Sequence, residues 1–252
     1  MKRAAESDST PVLSAERLSG NPHSGGYDSL QTAERLHRLF PQAKVLVVVR
    51  EQTEEILSCY NQYVRAGGVL PLRAYLDPPD DFRFPAFRFD YFMYDRLIGA
   101  YRRPFGHENV CILPFEWFTR IPAQFVGKIH DLVGVARPVM DLLPHAPKVN
   151  PSVTQVATAA LRRFNRIAAP RTTINPQVFS HDAGIVRTRW GVADFSGRIA
   201  TAPANIRQKT RRLDLIRTQT SGLYELSSRR LVNMTGLELD ALGYAVGPEG
   251  AG

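Results

Sequence analysis

The chain has 252 residues, of which 44% are hydrophobic and 22% charged, and a formal net charge of +8. That usage is globular and excludes a wholly disordered, collagen-like or coiled-coil protein. The length suits one or two domains whose core needs no disulfide or metal staple.

The first ten residues are polar and read as a loosely ordered tail. Pro11-Val12-Leu13-Ser14 then reads as a short strand, followed by the turn-rich loop Ser19 to Gly26. Leu30, Ala33, Leu36, Leu39 and Phe40 recur at helical spacing, and Pro41 ends that helix. Val45 to Val49 is an uninterrupted apolar run, the pattern of a strand buried on both faces. It is also the longest such run, so neither a membrane span nor a signal peptide is predicted.

Arg50 follows that strand, and a helix is predicted from about Thr53 to Arg65, stopping at Gly67-Gly68. Residues 71–90 are rich in Pro, Asp and Phe and read as an excursion or lid. Asp90 to Tyr101 is helical, Asn109 to Pro114 is a buried strand, and Phe125 to Val133 is a helix ending at Gly134. This alternation predicts an α/β sheet with parallel strands over residues 11–150. Residues 151–252 read as mostly helical, with helices over Val153–Ile167, Ile206–Tyr224 and Leu226–Met234. The span 170–200 has no clear period.

The charge is unevenly spread. Residues 1–150 carry 18 basic and 17 acidic side chains, whereas 151–252 carry 14 and 7. Only five of the 32 basic residues are lysine. Arginine suits bidentate recognition of phosphate and sulfate, although a GC-rich genome produces the same bias. The pairs Arg102-Arg103, Arg162-Arg163, Arg211-Arg212 and Arg229-Arg230 read as solvated helix faces, or as a groove for an acidic acceptor. No nucleic-acid-binding motif occurs. The two cysteines, Cys59 and Cys111, lie in no CxxC pair, which points to a reducing, cytoplasmic setting with no zinc site.

The sharpest local feature is Arg50 at the end of the Val45–Val49 strand, with Ser58 about two turns into the next helix. Ligands of open α/β sheets bind outside the carboxyl ends of strands. A guanidinium and a hydroxyl converge there on an anion, helped by free N–H groups of the first helical turn. The same spacing also fits an arginine capping a strand and a serine packed in a helix.

Arg50-Glu51-Gln52-Thr53-Glu54-Glu55-Ile56-Leu57-Ser58-Cys59-Tyr60 resembles the 3′-phosphate-binding segment of sulfotransferases. Ser14 to Leu18, Phe105 to Val110, Leu113 to Glu116 and Tyr224 to Tyr244 resemble further segments of the bacterial members, in the same order. The resemblance implies a single sulfotransferase-like domain over 1–252, a P-loop-like three-layer α/β fold with a central parallel sheet and a mostly helical C-terminal half. It implies sulfuryl transfer from 3′-phosphoadenosine 5′-phosphosulfate to a hydroxyl or amine of a small-molecule, carbohydrate or other acceptor. No metal, nucleic acid or membrane is implied.

By position, Arg50 and Ser58 would hold the donor's 3′-phosphate. Glu16, at the end of the predicted 11–14 strand, would be the general base, unless it serves in a salt bridge with Arg17 or Arg50. His23 is the other candidate base, or a plain surface residue. The family's Lys-bearing phosphate loop has no counterpart in these 252 residues. Ser19 to Gly26 is rich in Gly and Ser but lacks a lysine. The expectation is therefore a sulfotransferase without its first βα unit, as a truncated reading frame, a fragment or a degenerate paralogue. A non-catalytic anion- or partner-binding protein is the rival reading. Glu116 reads as structural. The aromatic stretch Phe82 to Tyr94 reads as core or lid packing that would suit an acceptor-pocket wall, and residues 171–200 as an acceptor loop.

Overall fold

The structure is a computed structural model that describes residues 10–78, 86–136, 154–168, 191 and 201–248. Helix α1 (Ser29–Leu39) precedes strand β1 (Val45–Val49), and helices α2 (Gln52–Arg65), α3 (Leu72–Leu76) and α4 (Tyr94–Phe105) follow it. Strand β2 (Val110–Pro114) is followed by α5 (Phe115–Arg120) and α6 (Pro122–Val133). Then come α7 (Gln155–Ala168), α8 (Ala202–Thr220) and α9 (Glu225–Thr235). The strands pair in parallel, Val45 opposite Val110 and Val49 opposite Pro114. Mixed helix and parallel strand, with a helical C-terminal half, agrees with the sequence.

Three expectations are corrected. Residues 11–14 form no strand: they are extended but unpaired and exposed, and Glu16 opens a 3-10 turn, Glu16–Ser19. Val12 and Leu13 bury too little apolar area to hold an edge position. Next, β1 is buried on one face only, because Leu46 is 37% and Val48 45% exposed while Val49 is buried. A two-stranded sheet is all that the described residues contain, so no second layer covers that face. The three-layer arrangement around a central sheet is not seen among these residues. Third, the 71–90 segment is not an excursion or lid throughout: it contains α3, and Leu72, Tyr75, Leu76 and Phe87 are buried. Phe92, which has no exposed surface, agrees with the core alternative for the aromatic stretch. Phe82 and Phe84, and the span 171–190, lie outside the described residues.

Two apolar clusters divide the work. One joins α1, α4, both strands, α9 and the C-terminal tail through Ala33, Val49, Ile98, Ile112, Leu231 and Tyr244. The other joins α2, α3, the 87–92 segment, α7 and α8 through Ile56, Tyr60, Tyr75, Phe92, Leu161 and Ile216. Helix α2 thus packs against α7 and α8 and carries the chemistry-bearing residues between the two clusters.

Both ends of α2 are pinned. At its start the Glu51 carboxylate accepts from the backbone N–H groups of Thr53 and Glu54, at 2.9 Å each. At its end the buried Asn165 amide of α7 donates to the carbonyls of Val64 (2.8 Å) and Gly68 (3.0 Å), which satisfies acceptors a helix terminus leaves open. Gly68 has to be glycine, since a Cβ there would sit 2.2 Å from the Tyr63 ring.

The four arginine pairs share one pattern, unlike the solvated faces the sequence predicts. In each pair one member is half-buried and hydrogen-bonded while its neighbour is exposed. Arg102 donates to the Met234 carbonyl, Arg162 to Val69, Arg212 to the Gln155 side chain and Arg229 to Gly247. Consecutive residues on a helix point about 100° apart, so one of each pair faces the neighbouring element. Arginine's long stem and forked head then reach a backbone carbonyl, or for Arg212 a side-chain carbonyl, of another segment.

Candidate anion-binding site

The face of α2 that carries Glu54, Leu57, Ser58 and Asn61 repeats at helical spacing, so these residues share one stripe. Together with Arg50 they form one wall of a cleft of about 370 Å³. The opposite wall comes from Thr154 and Gln155 at the start of α7 and from Asn205 and Lys209 on α8. Arg50 and Ser58, paired by sequence, therefore line the same cleft. Among the described residues the Ser58 hydroxyl makes no hydrogen bond, and the buried Asn61 side-chain oxygen has no partner.

Arg50 is held by its surroundings on several sides. Its guanidinium lies 3.5 Å from Glu54 and 3.6 Å from Glu55, and stacks over the Phe115 ring at 5.1 Å. Tyr94 donates to its backbone carbonyl at 2.7 Å. The first amides of α2 are not free, contrary to the sequence reading. Thr53 and Glu54 are capped by Glu51, and the Glu51 N–H donates to Glu116 Oε1 at 3.0 Å. The Tyr244 hydroxyl donates to the other Glu116 oxygen at 3.2 Å. Glu116 is thus a structural clamp joining the strand ends, the Arg50 turn and the C-terminal tail. That matches the role expected of it. Glu116→Ala leaves two donors without an acceptor, which should cost about 2 kcal/mol. A fall in melting temperature of about 4–8 °C is expected. Glu116→Gln, which keeps one acceptor, should recover part of it.

The other two sequence candidates are not among the cleft-lining residues. Glu16 sits in the 3-10 turn, and its side chain lies outside what the structure describes. His23 lies in a second 3-10 turn, Pro22–Ser24, and is not the plain surface residue of one sequence reading. Its ring meets Tyr63 and Tyr75, and Nδ1 is 2.9 Å from the Tyr75 hydroxyl. Burial, then the Arg17 charge, lowers its pKa to about 4. A histidine whose folded pKa lies below its unfolded value near 6.5 costs nothing while both states are neutral. Stability should therefore be complete above about pH 6.5 and decline towards pH 4, as the unfolded state takes up the proton first. Thermal melts at pH 7 and pH 5 should show this drop in the native chain and a smaller one in His23→Gln.

The glycine-rich stretch Ser19 to Gly26 is closed on itself. Ser29 Oγ donates to the carbonyls of Ser19 and Gly26, both at 2.7 Å, and the Gly26 N–H donates to Asn21. Gly26 has a φ of +63°, and a Cβ there would meet the Tyr91 ring at 2.4 Å. Glycine serves close packing against Tyr91 here and presents no open cradle of amides.

The far wall of the cleft went unread in the sequence. Asn205 and Lys209 are four apart on one helix, a visible signal, but nothing local shows which helix they face. In the structure Asn205 accepts from the Gln155 N–H at 2.6 Å, and Lys209 Nζ pairs with Glu54 at 2.8 Å. These contacts seat α7 and α8 against α2.

Comparison with known proteins adds the following. Residues 27–138 match the family model of the sulfotransferase family. Arg50, Ser58 and Glu116 fall inside that span, and Glu16, His23, Asn205 and Lys209 outside it. Among solved structures, a sulfotransferase from Alicyclobacillus acidocaldarius is similar at 26% identity over 49% of this chain and 51% of that one, with a TM-score of 0.40. The chain thus spans about half the length of that protein. No curated protein matches it. Among the described residues no helix is long and apolar enough to cross a membrane, and no group of three or more His, Cys, Asp or Glu side chains lies together as a metal site.

Proposed function

We propose that the cleft between α2, α7 and α8 holds the 3′-phosphate of 3′-phosphoadenosine 5′-phosphosulfate, on the footing that residues 27–138 match the family model of the sulfotransferase family. The observation that carries this reading is the meeting of Arg50 and Ser58 in one cleft, eight residues apart in the chain and both directed at the same space. The lining fits an anion: a guanidinium, an ammonium, the Ser58 and Thr154 hydroxyls and three side-chain amides. The Glu54 carboxylate is the one member of the lining that opposes it.

The donor, when bound, supplies a sulfuryl group already activated by its phosphate leaving group. The chain's own residues bind and orient. Arg50 offers two parallel N–H donors to phosphate oxygens and Ser58 offers one O–H donor. Glu16 takes the proton from the acceptor's hydroxyl or amine, and His23 is the weaker candidate for that step. His23 is already engaged, with Nδ1 against the Tyr75 hydroxyl. The acceptor is a small molecule, carbohydrate or other hydroxyl- or amine-bearing group, and the setting is cytoplasmic.

A second reading, an anion-binding protein without transfer activity, is favoured by one observation. The Ser19–Gly26 stretch is closed on itself and presents no open cradle of amides to a phosphosulfate. Calorimetric titration of 3′-phosphoadenosine 5′-phosphate tests the binding claim, with micromolar affinity expected. No heat from a well-folded chain rejects it. A transfer assay then separates the two readings: Glu16→Gln should retain nucleotide binding, with turnover cut only if the chain transfers.

A further inference from the structure

The cleft already contains an anion. One oxygen of Glu54 lies 2.8 Å from Lys209 Nζ, and the other lies 3.5 Å from Arg50. A single carboxylate thus bridges the two cations of the lining, from α2 to the Arg50 turn on one side and to α8 on the other. We propose that Glu54 is a built-in occupant of the phosphate subsite, which a phosphate dianion displaces from Arg50 and Lys209 and a neutral 3′-hydroxyl does not. This rests on the reading of the cleft given above. It adds two residues to it: Lys209 as a phosphate-binding group, and Glu54 as the group that the phosphate replaces.

The physical ground is a comparison of charges. A carboxylate with one negative charge holds both cations at moderate distance, in a cleft open enough for the Lys209 side chain to be 46% exposed. A neutral hydroxyl, such as the free 3′-OH of a nucleotide, offers neither charge nor enough acceptors to replace it. A phosphate dianion carries about twice the charge and three acceptor oxygens, so it can engage Arg50 and Lys209 together. The Ser58 hydroxyl stands on the same wall and is free to complete the shell. The freed Glu54 side chain is 30% exposed and can turn to water. Glu54 therefore keeps the two cations paired until a phosphate replaces it.

Titrations of 3′-phosphoadenosine 5′-phosphate and adenosine 5′-phosphate into the native chain, Glu54→Gln, Lys209→Met and Arg50→Ala test this. Gln keeps the shape and helix propensity of Glu, and both exchanged positions are surface-accessible, so folding should be retained. Glu54→Gln should tighten 3′-phosphoadenosine 5′-phosphate by about three- to tenfold, for two partly exposed ion pairs that no longer have to be broken. Adenosine 5′-phosphate, which does not displace Glu54, should bind as it does to the native chain. Lys209→Met should weaken 3′-phosphoadenosine 5′-phosphate several-fold and leave adenosine 5′-phosphate unchanged. Unchanged or weaker binding of 3′-phosphoadenosine 5′-phosphate in Glu54→Gln overturns the competitor role, and its unchanged binding in Lys209→Met overturns the phosphate contact. If Arg50→Ala still loses affinity in those cases, the general reading of the cleft stands and only the inference fails. If Arg50→Ala binds as the native chain does, both fail.

Discussion

Arg50→Ala is expected to weaken binding of 3′-phosphoadenosine 5′-phosphate by roughly a hundredfold while leaving the fold intact. Each hydrogen bond to a charged group contributes on the order of 1.5–3 kcal/mol, and a bidentate guanidinium makes two. Part of that gain is already committed, because Arg50 must release Glu54 and Glu55 before it can turn to a ligand. A net loss near 2.7 kcal/mol, or two orders of magnitude, is what remains. The fold should be indifferent. The ion pairs of Arg50 are partly exposed, and such pairs contribute about 0–1 kcal/mol. The Arg50 contribution that matters to the turn is its backbone carbonyl, which accepts from Tyr94 and survives the substitution. Calorimetry and a thermal melt on the same preparation check both halves.

Phe92→Ala is expected to have the largest effect on stability. Phe92 has no exposed surface and packs on Phe87 and Tyr91 in the cluster that seats α2, α3 and α8. Truncating a buried Phe removes its transfer energy and leaves a cavity, at a cost of about 3–5 kcal/mol. For a chain of this size the melting temperature should fall by roughly 10 °C. A mobile lid would behave differently: its truncation would alter ligand kinetics and spare the melting temperature. The measurement thus decides between the core role seen here and the lid that the Pro- and Phe-rich composition suggests.

That disagreement shows where sequence patterns inform and where they run out. The α2 helix was legible because its apolar residues recur every three to four positions and Gly67-Gly68 ends it. The parallel pairing of β1 and β2 was legible from two short apolar runs separated by a helix. The burial of β1 on both faces was not. An apolar run shows what a strand can bury, whereas the number of layers present decides what it does bury, and Leu46 and Val48 stay exposed. The 11–14 segment has strand-like composition but no partner, and pairing is a non-local property.

The candidate site divides in the same way. Arg50 and Ser58 lie on adjoining elements, so the local spacing could place them together. Lys209 and Asn205 stand some 150 residues further on, and their meeting with Glu54 depends on how α8 docks. The buried amide of Asn165 and the guanidinium of Arg162 fix the docking of α7 on the end of α2 through backbone carbonyls, which any sequence supplies and none advertises. His23 misled for a related reason. A loop histidine reads as solvated until the Tyr63 and Tyr75 rings around it are known.

The claim at the centre of this account is that Arg50 reads a 3′-phosphate. It is tested most directly by a cycle of four affinities, those of the native chain and Arg50→Ala for 3′-phosphoadenosine 5′-phosphate and for adenosine 5′-phosphate. The native chain should prefer the 3′-phosphorylated nucleotide by at least roughly a hundredfold, and Arg50→Ala should keep only the several-fold share that Lys209 and Ser58 supply, so that most of the energy lost with the phosphate is lost with the guanidinium. A preference that survives intact in Arg50→Ala would contradict the assignment and place the phosphate elsewhere.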